Sequence, residues 1–500
     1  MANSSVSNGI LVLLGLGLAA ALGLPTRSHA ADTLTLEEAL AQAVEGNQAV
    51  RNSRYSVESA EGGLLSTRAI FEPQFTLSGD VNSSLNTQFF GSVPFDQNSS
   101  RLSASSGLSG QLATGTSYSA TASYTRNDAE QIDFRSITTG NPDVIDSFSN
   151  RPQIRLGLTQ EVLRGHRYAY NRRQIVEAQT SLTVAELQLK AQEQRTLRDA
   201  ASAYWAWWSA SESADIARER VSVAEEALRI GALQLEEGRV APVDVSRLRT
   251  EVVRAKKALA DAEQLAAESR DTLLVLIGRQ PGEAVSTQDD VVPSLPAPPS
   301  PEAAMEAARN GNPDLVVLRQ QVDQAAISLS MAKHALLPSL TLDGSATFSQ
   351  VTNKVGDEDP TDANNRNLQG TATLTVPLGN RSARGEVARA AATEAQRRNE
   401  LEGRERDVLA QVAKQARVLA IAEQQITLAD QEVALAEETL KAEEARANVG
   451  RAVQRDVLEA RVAVFDAKLQ AAKARSDRQL AWIELQLLQG TLTVQSAVGK

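Results

Sequence analysis

The 500-residue chain contains no cysteine. That excludes disulfides, thiolate chemistry, Cys-ligated zinc and a lipid anchor on an N-terminal cysteine. Three His and three Met leave little for a dedicated metal site, and no cofactor is expected. Aromatic residues are only 4% of the chain while the apolar set stands at 42%, so Ala, Leu and Val carry the hydrophobicity. Such a composition favours long helices packed along narrow seams over the three compact domains, of about 150 residues each, that the length alone would suggest. The net charge is −11, or −12 without a leader whose one charged side chain is Arg27, which sets the chain against nucleic acid as a partner. His29, His166 and His334 are far apart in sequence, and neither a G-x-S-x-G elbow nor a Gly-rich phosphate loop appears. The chain does not read as an enzyme.

Long apolar runs are also scarce. Only Ile10 to Leu24 qualifies, followed by Pro25 and then Ser28-His29-Ala30. A run of about fifteen is short for a membrane helix of about twenty and suits the core of a signal peptide, cleaved after Ala30. The n-region Met1 to Asn8 lacks Lys and Arg, a departure from the usual pattern. With no later run apolar enough to span as a helix, any membrane insertion must use strands.

What the chain does have is a repeat. A shift of 265 residues lays Gly46-Asn47 on Gly311-Asn312, Pro73 on Pro338 and Gly79 on Gly344. A shift of 212 lays Gly238 on Gly450, Asp244 on Asp456 and Gly278 on Gly490, without a gap from about Ile175 onward. The expected layout is a signal at 1–30, a first repeat at 31–278, a linker at 279–301, a second repeat at 302–490 and a tail at 491–500. The linker holds six prolines, as an extended connection would.

Each repeat reads helix, strand, loop, strand, long helix, tip, helix. Period-two alternation predicts strands near 71–83, 151–163, 338–349 and 368–378, for example Leu368, Gly370, Ala372 and Leu374 against Gln369, Thr371 and Thr373. About ten alternating residues suit a tilted transmembrane strand with a wet lumen behind it, although a soluble sheet with one buried face alternates in the same way. The Ser-, Asn- and Gly-rich stretch 84–150 reads as a hairpin projecting outward, with two further barrel strands as the alternative. Heptads such as Val245, Leu248, Val252, Ala255 and Leu259 predict supercoiled helices. A helix over 168–237 would reach roughly 105 Å, about the sum of helices 36–70 and 239–278 laid end to end. The expected fold is therefore mainly α with membrane β. Long coiled hairpins form a rod, and four strands from each chain join a barrel shared between copies, because four cannot close one alone.

In this order the motifs resemble the TolC family of outer-membrane channel proteins over about 34–490. The resemblance rests on Leu34-Thr35-Leu36-Glu37-Glu38-Ala39-Leu40, on Leu158 to Gly165, and on the tips Gly238 to Val245 and Asn448 to Ala460. It implies a homotrimer in the outer membrane, with a twelve-stranded barrel and an α-helical barrel crossing the periplasm. It also implies docking, through a periplasmic adaptor (membrane fusion) protein, with an inner-membrane transporter of RND, ABC or MFS type, for efflux or type I secretion. By the same resemblance Asp456 and Glu459 match the acidic, cation-selective gate. Asp244, the equivalent of Asp456 in the first repeat, is placed to pair with Arg451 or Arg455 across the hairpins. Acids in a helix's first turn also simply complement its dipole, worth about 0.3–1 kcal/mol. Gly238, Arg239, Val240, Gly450, Arg451 and Ala452 are the expected adaptor-docking tips, where glycine also serves chain reversal. Tyr204, Trp205, Trp207, Trp208 and Trp482 lie roughly 50 Å from the tips and are read as packing in the middle of the rod. A structural coiled-coil protein of the envelope and a periplasmic adaptor are the competing readings; neither has a pore.

Overall fold

The computed structural model describes residues 32–90, 93–132, 144–287, 295–449 and 454–499. The expected signal segment and the tip residues Gly450, Arg451 and Ala452 lie outside the described residues. In chain order, β1 (Asp32–Leu34), α1 (Leu36–Gly46) and α2 (Gln48–Arg68) lead into β2 (Gln74–Phe90), β3 (Val93–Gln111), β4 (Thr116–Ile132) and β5 (Val144–Glu161). Next come a short α3 (Tyr168–Asn171), the long α4 (Arg173–Glu236), α5 (Pro242–Leu276) and β6 (Val285–Thr287). The second half holds α6 (Pro301–Gly311), α7 (Pro313–His334), β7 (Ser339–Val355), β8 (Thr361–Thr375), α8 (Arg381–Asn448), α9 (Gln454–Gln489) and α10 (Val494–Ala497).

Local chemistry sets the helix starts. The Glu38 N–H donates to Thr35 Oγ1 at 3.2 Å and the Thr35 N–H donates to Glu38 Oε2 at 3.1 Å, a reciprocal cap. The single helix expected over 36–70 is two, because Asn47 restarts it: its Oδ1 accepts from the Ala49 N–H at 2.8 Å. Asn312 does the same for α7, accepting from the Asp314 N–H at 3.1 Å. Both breaks follow a glycine for one reason. A Cβ on Gly46 would sit 2.6 Å from the Ile277 carbonyl oxygen, and one on Gly311 would sit 2.4 Å from that of Gln489. The facing helices end in turn at Gly278 (φ +81°) and Gly490 (φ +71°). The duplication read from the sequence thus appears as the same joint built twice.

Helix lengths build the rod. The 64 residues of α4 span about 96 Å and the 68 of α8 about 102 Å. Beside α4 lie α2 towards the sheet and α5 towards the tip; beside α8 lie α7 and α9. Heptad positions Val245, Leu248, Val252 and Ala255 are buried, with Ala224, Val252 and Ala255 packed together. Mid-rod, two larger cores form. Tyr204, Trp205, Trp207 and Trp208 pack with Leu40 of α1 and Leu273 of α5. Trp482 belongs to the other core, with Leu315, Val412 and Leu485. The linker joins them: β6 pairs in parallel with β1, and Leu295 enters the second core. The expected tail is part of the first core through Leu492 and Ala497.

The strands form one antiparallel sheet in the order β2-β3-β4-β5-β7-β8. The class of fold is the expected one, helical hairpins plus a sheet, but each chain supplies six strands in place of four. The hairpin expected to project is instead β3 and β4, paired along their length with β2 and β5. Its outward positions alternate large and small, Leu102, Ala104, Ser106 and Leu108 on β3 and Tyr118, Ala120, Ala122 and Tyr124 on β4, so the pattern that marks a strand is weaker there than on the flanking strands. At the junction of sheet and rod, His334 lies buried beside Tyr170 (5.3 Å between ring centroids) and His166. Burial, then the charge of Arg167, lowers its pKa.

Gly311→Ala forces a methyl group into the Gln489 carbonyl and should destabilise the α6–α9 joint by about 1–3 kcal/mol. Thermal unfolding followed by circular dichroism checks this; an unchanged midpoint would contradict the close approach.

Candidate gate at the hairpin tips

The turn from α4 into α5 needs its glycine. Gly238 adopts φ +70° with open space around it, and the next residue, Arg239, donates its N–H to the Gln234 carbonyl at 2.8 Å. Arg239 itself is exposed, pairing with Glu237 at 3.3 Å. Pro242 at the first turn of α5 fixes the exit direction. Leu458 of α9 packs on Ala227 and Leu248, so the start of the second hairpin's return helix touches the first hairpin. Between them lies a groove of about 660 Å³ lined by Val240, Asp244, Leu248, Arg455, Leu458 and Glu459, among others.

The expected charged residues are near one another but pair differently. Asp244 faces Arg247 of its own helix at 4.0 Å. Arg455 lies between Asp456 (3.4 Å) and Glu459 (3.5 Å), both also on its own helix. The expected pairing of Asp244 with Arg455 across the hairpins is thus replaced by pairs within helices: Asp244 with Arg247 and Arg455 with Glu459 share a helix face and need less side-chain ordering, while Arg455 reaches Asp456 as its immediate neighbour. Arg451 lies outside the described residues. Glu459 is exposed at 72% and Asp456 at 35%, so both remain open to water and ions. Arg455 is thus shared between two carboxylates.

Sequence reasoning missed two kinds of residue here. Arg220 of α4 pairs with Glu251 of α5 at 2.9 Å and reaches Asp466 of α9 at 3.8 Å, joining three helices. Nothing in its spacing distinguishes it from the other arginines of a charged helix face. Val243, near the start of α5, and Val449, at the end of α8, are exposed aliphatic side chains. Their signal was legible, since Val243 sits two residues before the seam position Val245. Among the described residues, no group of His, Asp and Glu could hold a metal ion.

Known proteins share this fold. The model of the family described as outer membrane efflux protein matches residues 111–279 and 304–491. The pyoverdine export outer membrane protein OpmQ of Pseudomonas aeruginosa is 28% identical over 221 residues, 44% of each chain, so the match spans under half of that relative. The MtrE outer membrane channel of Neisseria gonorrhoeae, in its open state, superposes with a TM-score of 0.61 at 17% identity, covering 92% of this chain and 90% of that one. A membrane protein from Pseudomonas aeruginosa gives 0.62 at 17% identity, covering 91% and 92%. At these identities the likeness is one of fold.

Arg220→Met leaves the half-buried Glu251 without its nearest cation and should loosen the tip by about 1–2 kcal/mol, scaled down from a fully buried pair. Hydrogen exchange of amides over 225–250 should quicken by about tenfold; no change would make the pair an ordinary surface contact.

Proposed function

Because this chain belongs to the outer membrane efflux protein family, we propose that three copies form a passive exit duct from the periplasm to the exterior, with its sheets in the outer membrane and its hairpins in the periplasm. The observation that carries this reading is the sheet. Phe75, Leu77 and Val81 lie exposed on one face, as do Leu156, Ile154, Leu368 and Leu374, while Ser, Thr, Asn and Gln fill the other. An apolar face of that extent needs lipid, and a polar face behind it needs water. No helix among the described residues is long and apolar enough to cross a membrane, which leaves the strands to do so.

At the other end, Asp456 and Glu459 supply a ring of acids at the narrow mouth of the trimer, and Asp244 adds to the same groove. Arg455 holds both carboxylates in place. The charge favours cations and makes a divalent ion the natural plug. Exposed Val243 and Val449, beside Gly238-Arg239-Val240 and Gly450-Arg451-Ala452, offer the apolar contact with a periplasmic adaptor, which in turn couples the duct to an inner-membrane transporter. The relative named for pyoverdine export supports efflux of a small molecule over protein secretion. A purely structural coiled-coil role would leave the two-faced sheet without a use.

The test is conductance. Purified protein in a planar bilayer should open ion-conducting channels, and Asp456→Asn with Glu459→Gln should weaken block by a divalent cation by about tenfold, equivalent to about 1.4 kcal/mol. Block unchanged by both substitutions would remove the gate assignment; no conductance from folded trimers would remove the duct.

A further inference from the structure

We propose that the β3–β4 hairpin is membrane wall, so that the closed trimer holds eighteen strands and its outer-membrane lumen is about half as wide again as twelve strands would enclose. The proposal rests on the trimeric duct above and adds its bore, and with it the size of what can leave.

The register decides where β3 and β4 lie. Phe75, Leu108, Ala120, Leu156, Ala346 and Leu368 form one row across all six strands. The next row, on the other face, is Thr76, Gly107, Thr121, Arg155, Thr347 and Asn367. The inserted strands therefore carry the same apolar and polar faces, at the same level, as their flanks. On β4 the outward face runs Tyr118, Ala120, Ala122, Tyr124: small apolar residues bracketed by aromatics, as a lipid-facing band is.

The band also slopes. On β2 it runs from Phe75 up to Val81; on β8 it runs from Leu368 the opposite way, down to Leu374. Its centre slips by about six residues over five strand-to-strand steps, which at about 3.3 Å per residue and 4.8 Å per strand is a tilt of roughly 40°, within the range of membrane barrels. Were β3 and β4 outside the membrane, no common band would cross them.

The turn between them points the same way. Gly115, in the tight turn after β3, packs on Gly165 at the junction with the helices, where an added Cβ would stand 2.5 Å from the Gly165 carbonyl oxygen. Asn171 Nδ2 donates to the carbonyls of both Ala113 (3.1 Å) and Gly165 (2.7 Å). The hairpin thus starts from the outer end of the sheet and turns at its helical end, which means that it crosses the full height.

Width fits as well. Four helices side by side, the number each chain offers at any level of the rod, occupy about 32–40 Å of circumference. Six strands at the observed tilt occupy about 38 Å, and four only about 25 Å. Six strands continue the helical wall without narrowing. The ring also closes: with an even count, β8 of one copy runs antiparallel to β2 of the next. Three copies give a backbone diameter of about 36 Å against about 24 Å for twelve strands. Lumen positions on the added strands, such as Ser103, Ser105, Ser119 and Ser123, are short and return little of that width. The membrane segment is then no sieve, and restriction of cargo falls to the tips.

The chain's lack of cysteine makes the test direct. Single variants Ala104→Cys, Ser105→Cys, Ala122→Cys and Ser123→Cys are treated in intact outer membranes with a membrane-impermeant maleimide, beside Leu156→Cys and Ser345→Cys on the flanking strands. Ser105→Cys and Ser123→Cys should label at least about tenfold faster than Ala104→Cys and Ala122→Cys, matching the contrast on β5 and β7. Contrast on β5 and β7 with uniform labelling on β3 and β4 would overturn the wide barrel and leave the duct standing. Uniform labelling on every strand would overturn both.

Discussion

Lipid offers no hydrogen bonds, and that single fact constrains everything else in this chain. A sheet inserted in a bilayer must have every backbone N–H and C=O satisfied within protein. Here β3, β4, β5 and β7 are paired on both sides, while β2 and β8 each keep one open edge. The chain cannot close its own sheet and must close it with copies. Assembly with copies of itself is then a requirement of the fold before it is a property of the function. The helices follow from the same requirement, because copies whose sheets form a ring must carry rods that also form a ring.

The rod meets that demand by matching lengths. One unbroken helix in each half runs beside two shorter ones laid end to end, and the joint between those two is held by a glycine pair, Gly46 with Gly278 and Gly311 with Gly490. Around these joints sit the aromatic cores, one with Trp205 and one with Trp482. Away from them the wall is one helix thick, and alanine seams suffice. This is why so few aromatics serve so long a chain, and why they gather mid-rod and in the strands. The tips are held by Leu458 on Leu248 and by Arg220 on Glu251.

Much of this was legible in the residues. Duplicated glycines marked the joints and turns, heptads marked the seams, and period-two alternation marked β2, β5, β7 and β8. Three things were not. The hairpin of β3 and β4 alternates only weakly, with Ala104, Ser106, Ala120 and Ala122 between Leu102, Leu108, Tyr118 and Tyr124, and the second half has no counterpart to suggest it. The break at Asn47 shows only as an Asn after a Gly, a pair that suits a turn as readily as a helix restart. Charge pairing at the tip followed helix-face geometry: Asp244 found Arg247 and Arg455 found Glu459, because i,i+3 and i,i+4 partners are always in reach. The position of the acids could be read; their partners depended on how two hairpins meet.

The shared ring can be tested at its seam. A chain carrying one cysteine on β2 and one on β8, scanned over lumen-facing positions such as Ser78 with Gln369 or Thr371, should at one register oxidise in the membrane to covalent species of two and three chains. The series should stop at three, since a closed ring offers no fourth partner. Covalent species that continue past three, or none at any register, would contradict the shared barrel from which the rest of the structure follows.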